Sequence, residues 1–196
     1  MLKRFAPVLF AACLVSTPAI AQEDLDDRLL MNCSFRPRDA TTQADGTYNV
    51  AFVSGMTNTA SGNVNDLRLQ KNTTSPASRR NFSMIWQGWN STHGNQWFIT
   101  PDFSASCLGV RSGYVAALTC SDNTWWYLSL DEGYYVIHKN SDKTKAWQAP
   151  TSTATSGSYF PWATFNASAP LSERRRFHWT ITDCRDVYGN GVSPAS

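Results

Sequence analysis

From Gly46 onward, short apolar runs are separated by clusters of Gly, Pro, Asn, Ser and Thr. The runs read YNVAFV, SMIWQGW, QWFIT, YVAALTC, WWYLSL, YYVIHKN and RRFHWTIT, and aromatic and β-branched residues dominate them. No run sustains an apolar stripe at helical spacing, whereas such side chains pack well on a pleated sheet. The pattern predicts an all-β domain of short strands, with the spacing of a barrel or sandwich. Ser112-Gly113, between LGVR and YVAAL, predicts a tight hairpin turn. Only EDLDDRLLM, residues 23–31, has helical character, and it reads as part of a polar leader ahead of the domain.

Three runs, NQWFI, TWWYLSL and FHWTIT, place a tryptophan before an apolar strand, at Trp97, Trp126 and Trp179. The intervals are 29 (126 − 97) and 53 (179 − 126) residues. Recurrence of this order suggests similar units repeated around one core. The longer interval holds the low-complexity stretch QAPTSTATSGSYFP, which suits an extended surface loop. The alternative is a set of ordinary core tryptophans in an irregular β-protein.

The beginning of the chain changes what its charges and cysteines mean. Lys3 and Arg4, an apolar run from Phe5 to Val15 and then Ala19-Ile20-Ala21 have the order of a secretory signal peptide cleaved after Ala21. A competing reading takes FAAC as a lipobox with Cys13 acylated, although Phe10 stands where Leu is usual. No segment approaches the roughly 20 apolar residues of a membrane-spanning helix. The expected protein is exported, secreted or periplasmic. Removing Lys3 and Arg4 from 17 basic side chains leaves 15 against 15 acidic ones, so no general positive field remains to attract nucleic acid. Arg79-Arg80 and Arg174-Arg175-Arg176 read as solvated loop or strand-edge arginines.

Of five cysteines, four remain after Cys13: Cys33, Cys107, Cys120 and Cys184. An even number in an exported chain reads as two disulfides, with three pairings open. Cys107 and Cys120 flank the predicted hairpin, so local spacing pairs them; Cys33 and Cys184 pair by elimination. The second bridge requires the two ends of the domain to lie together. The resulting division is a signal peptide over 1–21, a leader over 22–45, a domain over 46–184 and a tail over 185–196.

CLGV…ALTCSDNTWWYLSL followed by YYVIHKNSDKTKAW resembles one repeat of a ricin B-type β-trefoil and the start of the next. A closer likeness, in RRNFSMIWQGWNSTHGNQWFITP, is to the A and C subunits of cytolethal distending toxins, exported trefoil-bearing partners of a nuclease subunit. The resemblance implies a single β-trefoil that binds cell-surface glycan or glycolipid, with a toxin catalytic subunit as a further partner. In sugar-binding repeats of that family, an Asp two residues after the first cysteine bonds the sugar and an aromatic before the second stacks on it. Here those positions are Gly109 and Leu118, so the middle repeat is expected to be structural, with Trp126 in the core.

The last repeat offers Gln148 where the family places its Asp, and Tyr159, Trp162 and Asn166 near the aromatic position. The first offers Trp86, Trp89, Asn95 and Gln96. Sugar sites combine aromatic faces with fixed amides in this way. Trp86 and Trp89 stand an odd number of residues apart and would face opposite sides of a regular strand. Core packing is the competing account of each cluster.

Catalysis is not expected. His93, His138 and His178 are scattered without metal-site spacing, and there is no nucleophile elbow or phosphate-binding glycine loop. Asp102, Asp122, Asp131 and Glu132 read as solvated turn acids. No cofactor is implied. The leading expectation is a non-catalytic exported carbohydrate-binding module, and the alternative is a protein-binding trefoil acting as inhibitor or structural partner.

Overall fold

Antiparallel pairing in the computed structural model follows a pattern that repeats three times along the chain. The structure describes residues 29–39, 49–53, 65–71, 80–90, 94–102, 105–121, 124–139, 142–149 and 160–194; residues 1–21, read above as an export signal, Tyr159 and His93 lie outside them. The first unit contains β1 (Leu29–Pro37), β2 (Asn49–Val53), β3 (Asn65–Lys71) and β4 (Phe82–Asn90). The second contains β5 (Gly94–Pro101), β6 (Cys107–Arg111), β7 (Tyr114–Leu118) and β8 (Trp126–Asp131). The third contains β9 (Tyr134–Lys139), β10 (Asp142–Trp147), β11 (Trp162–Thr164) and β12 (Trp179–Thr182), with the one-turn helix α1 (Leu171–Arg174) before β12. The outer strands of the units pair in the cyclic order β1–β4–β5–β8–β9–β12 and back to β1, which closes a barrel. The inner strands of each unit form a hairpin, β2–β3, β6–β7 and β10–β11. This architecture is a β-trefoil. Ser112 and Gly113 have φ of 50° and 79°, and Glu132 and Gly133 repeat the arrangement at 52° and 78°, the paired positive angles that suit a two-residue hairpin turn.

The register identifies the repeating core position. Phe82 sits between Cys33 and Pro101, Trp126 between Trp97 and Lys139, and Trp179 between Tyr135 and Pro37. All three rings are fully buried. Phe82, rather than Trp97, is therefore the first member of the series; Trp97 is the cross-strand neighbour of Trp126. The sequence pattern misleads here because the repeating requirement is a large ring at the start of the fourth strand, which Phe also meets. The two tryptophans share a further contact. Trp126 Nε1 donates to the Leu108 carbonyl at 2.7 Å, and Trp179 Nε1 donates to the Trp147 carbonyl at 3.2 Å. Each ties a barrel strand to the hairpin of its own unit. Trp147 packs edge-on to both, at 5.2 and 5.8 Å between ring centroids.

Residues 29–37, assigned above to the leader, form a barrel strand, so the domain includes residues ahead of Gly46. Leu29-Leu30-Met31 ends an apparently helical stretch, but β1 has β4 on one side and β12 on the other, and these ladders set its backbone. Both expected disulfides are present, Cys33–Cys184 and Cys107–Cys120. The tail joins the fold as well: Met31 and Arg185 exchange backbone hydrogen bonds of 2.7 and 2.8 Å. Closing 151 residues, the first bridge contributes about 5 kcal/mol by chain entropy, against about 3 kcal/mol for the 13-residue hairpin loop.

The third unit departs from the symmetry. Between β11 and β12 the chain runs through residues 165–178 and covers the outer face of the β8–β9 hairpin, where Phe165, Phe177 and Ala163 pack with Val136 and Ala146. One end of this segment is latched by charge. Asp131 accepts from His178 Nε2 at 2.7 Å and from Arg174. Arg38, just past β1, donates to His178 Nδ1 at 3.0 Å. A guanidinium can only donate, so Nδ1 is the acceptor and the His178 proton sits on Nε2, toward Asp131. Tyr134 stacks on the fully buried His178 ring, and the Arg38 guanidinium lies 4.4 Å from the Tyr134 centroid. Asp131 and Arg174 are thus not the solvated loop charges that the sequence suggests; each side chain is less than one-fifth exposed.

Two predictions follow from this packing. In urea unfolding at pH 7, Trp126→Ala is expected to lower stability by roughly 3–5 kcal/mol, and Trp126→Phe by roughly 1–3 kcal/mol, because it withdraws the indole donor from Leu108. A Trp126→Ala chain as stable as the parent would remove this ring from the core. The second prediction concerns pH. Burial acts to raise the Asp131 carboxyl, but the hydrogen bonds of His178 and Arg174 and the Arg174 charge outweigh it and hold the group below 3.8. A depressed carboxyl stabilises the fold above its unfolded value and loses that contribution as pH falls through the folded value, here below about pH 4. Lys139 acts at the other limb: burial over the Trp126 ring pushes its ammonium down to about 8. Between pH 8 and about 10 the unfolded chain holds the proton that the folded chain has released, so stability rises there. Thermal unfolding across pH should show a flatter acid limb for Asp131→Asn and a lost alkaline rise for Lys139→Met; unchanged profiles would contradict both assignments.

Candidate functional site

In the middle unit, the place where a sugar-binding trefoil repeat has its acid and its aromatic is filled. A Cβ on Gly109 would lie 2.8 Å from Leu118 Cδ1 and 3.0 Å from Thr124 Cγ2. Leu118 thus folds directly over the Gly109 backbone, in agreement with a structural role. Trp126 underlies the same hairpin through its bond to Leu108.

The same indole contacts align the third unit with the second. Leu108 and Trp147 are equivalent, so Gln148 stands at the position of Gly109, as the resemblance implies. The other half of the constellation is offset. Leu108 pairs with Ala117, and Trp147 pairs with Trp162. The residue equivalent to Leu118 is therefore Ala163, and Trp162 precedes it by one. Adjacent strand residues point to opposite faces, so Trp162 does not take the family's aromatic position. Its ring is half-buried, with Lys145 Nζ 4.4 Å from the centroid. Gln148 is half-buried, and its backbone N–H bonds the Pro161 carbonyl at 2.8 Å across the hairpin. Asn166 is exposed, and its Oδ1 accepts from the Ser168 N–H at 2.9 Å, which closes a turn. Gln148 and Trp162 are brought to neighbouring strands, while Asn166 belongs to the covering segment.

In the first cluster, Trp86 is half-buried and its Nε1 donates to Asn95 Oδ1 at 3.0 Å across the β4–β5 ladder. Trp86 pairs with Trp97, but Gly88 pairs with Gln96, so a bulge lies between them, and Gly88 has φ of 132°. The strand is not regular, and the alternation expected between Trp86 and Trp89 is interrupted. Gln96 is buried and donates to the Tyr127 hydroxyl. The Trp89 side chain is outside the described ones.

A further feature was missed in the sequence. Between the β8–β9 hairpin and the covering segment lies a cleft of about 310 Å³, lined by Tyr127, Leu128, Ser129, His138, Thr144 and Phe165, with Ala167 at its edge. His138 Nε2 lies 2.7 Å from Ser129 Oγ, and the ring is only 5% exposed. Phe165 stands edge-on to His138 at 5.5 Å and is pinned by its N–H to the Thr144 carbonyl at 2.6 Å. The available signal was the polar pair Ser129 and His138 on the outward positions of an otherwise apolar hairpin. Among the described residues no group of three metal-binding side chains occurs, and no helix is long and apolar enough to cross a membrane.

No family model and no curated protein sequence matches the chain. Solved structures do. A mosquitocidal holotoxin superposes with a TM-score of 0.57 at 13% identity over 79% of this chain, which spans 17% of that much longer protein. ThreeFoil, a designed 3-fold symmetric protein, gives 0.54 at 14% identity, covering 80% of this chain and 99% of its own. The C-half of an earthworm R-type lectin in complex with GalNAc gives 0.51 at 9% identity, covering 79% and 97%. At such identities the likeness is one of fold alone, and it agrees with the threefold register: the chain has a β-trefoil fold.

Proposed function

We propose that this protein is an exported, non-catalytic module that recognises cell-surface carbohydrate or glycoconjugate through the edge of its third hairpin. The observation that carries the reading is Gln148, half-buried at the hairpin position where the resemblance places the sugar-bonding acid, with the half-buried Trp162 ring on the other face of the same hairpin edge. An apolar sugar face lies well on such a ring, and the amide can both donate to and accept from hydroxyls. The trefoil lectin solved with GalNAc shows that this frame is compatible with sugar binding. The two disulfides favour an oxidising compartment and so support export after cleavage near Ala21. The resemblance to cytolethal distending toxin subunits, together with the trefoil of the holotoxin, supports a receptor-binding role in delivering a toxin catalytic subunit. Glycan or glycolipid is then the first partner and that subunit the second, with no part for nucleic acid or a cofactor.

One observation favours a second reading, a trefoil that binds another polypeptide as inhibitor or structural partner. Gly109 with Leu118, and Ala163 in the third unit, leave both units without the aromatic of a conventional sugar site.

A glycan array probed with the purified protein separates the two. Binding to a defined glycan that free sugar competes away is expected, and Trp162→Ala should weaken it by about 1–3 kcal/mol while the disulfides stay intact. Gln148→Ala should weaken it as well. Failure to bind any glycan, with a partner co-purifying at fixed stoichiometry, would replace this reading by the second. Glycan binding unchanged in both variants would move the site to Trp86, Trp89 and Asn95.

A further inference from the structure

The cleft between the β8–β9 hairpin and residues 165–178 has the chemistry of a binding site in its own right, separate from Trp162 and Gln148. Its volume of about 310 Å³ lies at the small end of ligand pockets and suits one ring rather than a chain. None of the described residues that line it is charged, so it offers an ionic ligand no counter-charge, and desolvating such a ligand there would be unfavourable. The polar groups come from three strands: the Ser129 hydroxyl from β8, the His138 imidazole from β9 and the Thr144 hydroxyl from β10. The two hydroxyls both donate and accept, which is what a ligand hydroxyl requires, and the His138 Nε2 is engaged by Ser129. Leu128, Phe165 and Ala167 supply an apolar wall.

The polar groups are held in place before any ligand arrives. His138 is clamped by the edge of Phe165 and bonded to Ser129, which fixes the direction of that hydroxyl. Phe165 is itself held by Phe177, at 5.4 Å between centroids, and by its bond to Thr144. At the far end of the segment, the Asp131–His178–Arg174 contacts fix the other anchor. Preorganisation of this kind lowers the entropy lost on binding. The segment also makes the cleft specific to this unit: residues 165–178 connect β11 to β12, whereas residues 119–125 suffice between β7 and β8.

We infer that this cleft binds a neutral, polyhydroxylated ring of monosaccharide size, with hydroxyls on Ser129 and Thr144 and its apolar face toward Phe165. The site does not depend on the third-hairpin reading, and NMR can distinguish the two. Backbone amides and the His138 imidazole of the purified, isotope-labelled protein are followed while free galactose, N-acetylgalactosamine, glucose and mannose are titrated separately. At least one sugar should give saturable shifts at Ser129, His138, Thr144 and Phe165. Ser129→Ala and Thr144→Val, both at exposed positions, should weaken sugar binding at those residues about tenfold, the expected loss of one good hydrogen bond, with the dispersion of the remaining amide signals retained. Trp162→Ala should leave the cleft shifts intact even where it abolishes binding on the glycan array. No response at these residues to any of the four sugars overturns the inference, as does a Ser129→Ala, Thr144→Val double variant that binds like the parent. Cleft shifts lost with Trp162→Ala would overturn a separate site.

Discussion

Every other feature of this protein depends on the pairing of β1 with β12. A sheet of six outer strands becomes a barrel only if its two edges meet, and here the edges are the beginning and the end of the domain. Ser34 to Pro37 align with Thr182 to Trp179, and the Cys33–Cys184 bond sits at the end of that ladder. Without this closure, Phe35 would have no enclosed space to share with Phe82 and Trp147, which it meets at 5.3 and 5.6 Å. The closure is non-local, so its entropic penalty is large, and the disulfide offsets much of it by restricting the unfolded chain.

Within the closed ring, threefold repetition is a matter of position rather than of residue type. Phe82, Trp126 and Trp179 occupy one place in the register, but only the two tryptophans can bond a hairpin carbonyl. Their neighbours on the preceding barrel strand are equally unlike: Cys33, Trp97 and Tyr135. A barrel interior tolerates such exchange when the total volume is conserved. The same tolerance explains the hairpins, where Gly109 under Leu118 forms a filled corner and Gln148 at the equivalent place forms a half-buried edge.

Asymmetry enters with residues 165–178. They cover an outer strand face with Phe165 and Phe177, and their charged end is paired with Asp39, just past β1, and with Asp131 at the β8–β9 turn. A single segment thus ties all three units together, since Arg38, Asp131 and His178 come from the first, second and third. Buried charges are tolerated when they are paired, and in the Arg38–His178–Asp131–Arg174 chain the Asp131 carboxylate faces the Arg174 guanidinium while the imidazole is held in one tautomer. The cleft is the remainder of the same face, the part that the segment spans without filling.

The sequence by itself determined the strand content, the compartment-dependent reading of the cysteines and the disulfide partners. Short aromatic and β-branched runs between turn residues leave little choice of secondary structure, and Cys107 and Cys120 flank a turn whose residues accept positive φ. Through the family resemblance it also placed Gln148 at the hairpin position equivalent to Gly109. Only the tertiary structure decided that residues 29–37 belong to the barrel, which ring is the first member of the core series, and that Trp162 is one residue removed from the position of Leu118. Leu29–Met31 are ambiguous between helix and strand until β4 and β12 flank them, and a one-residue offset on β11 is invisible until Trp147 is seen to pair with Trp162. Asp131 and His178 were illegible for a related reason. Their meaning lies in contacts that a covering segment makes with strands far away in the chain, and such contacts leave no periodicity behind in the sequence.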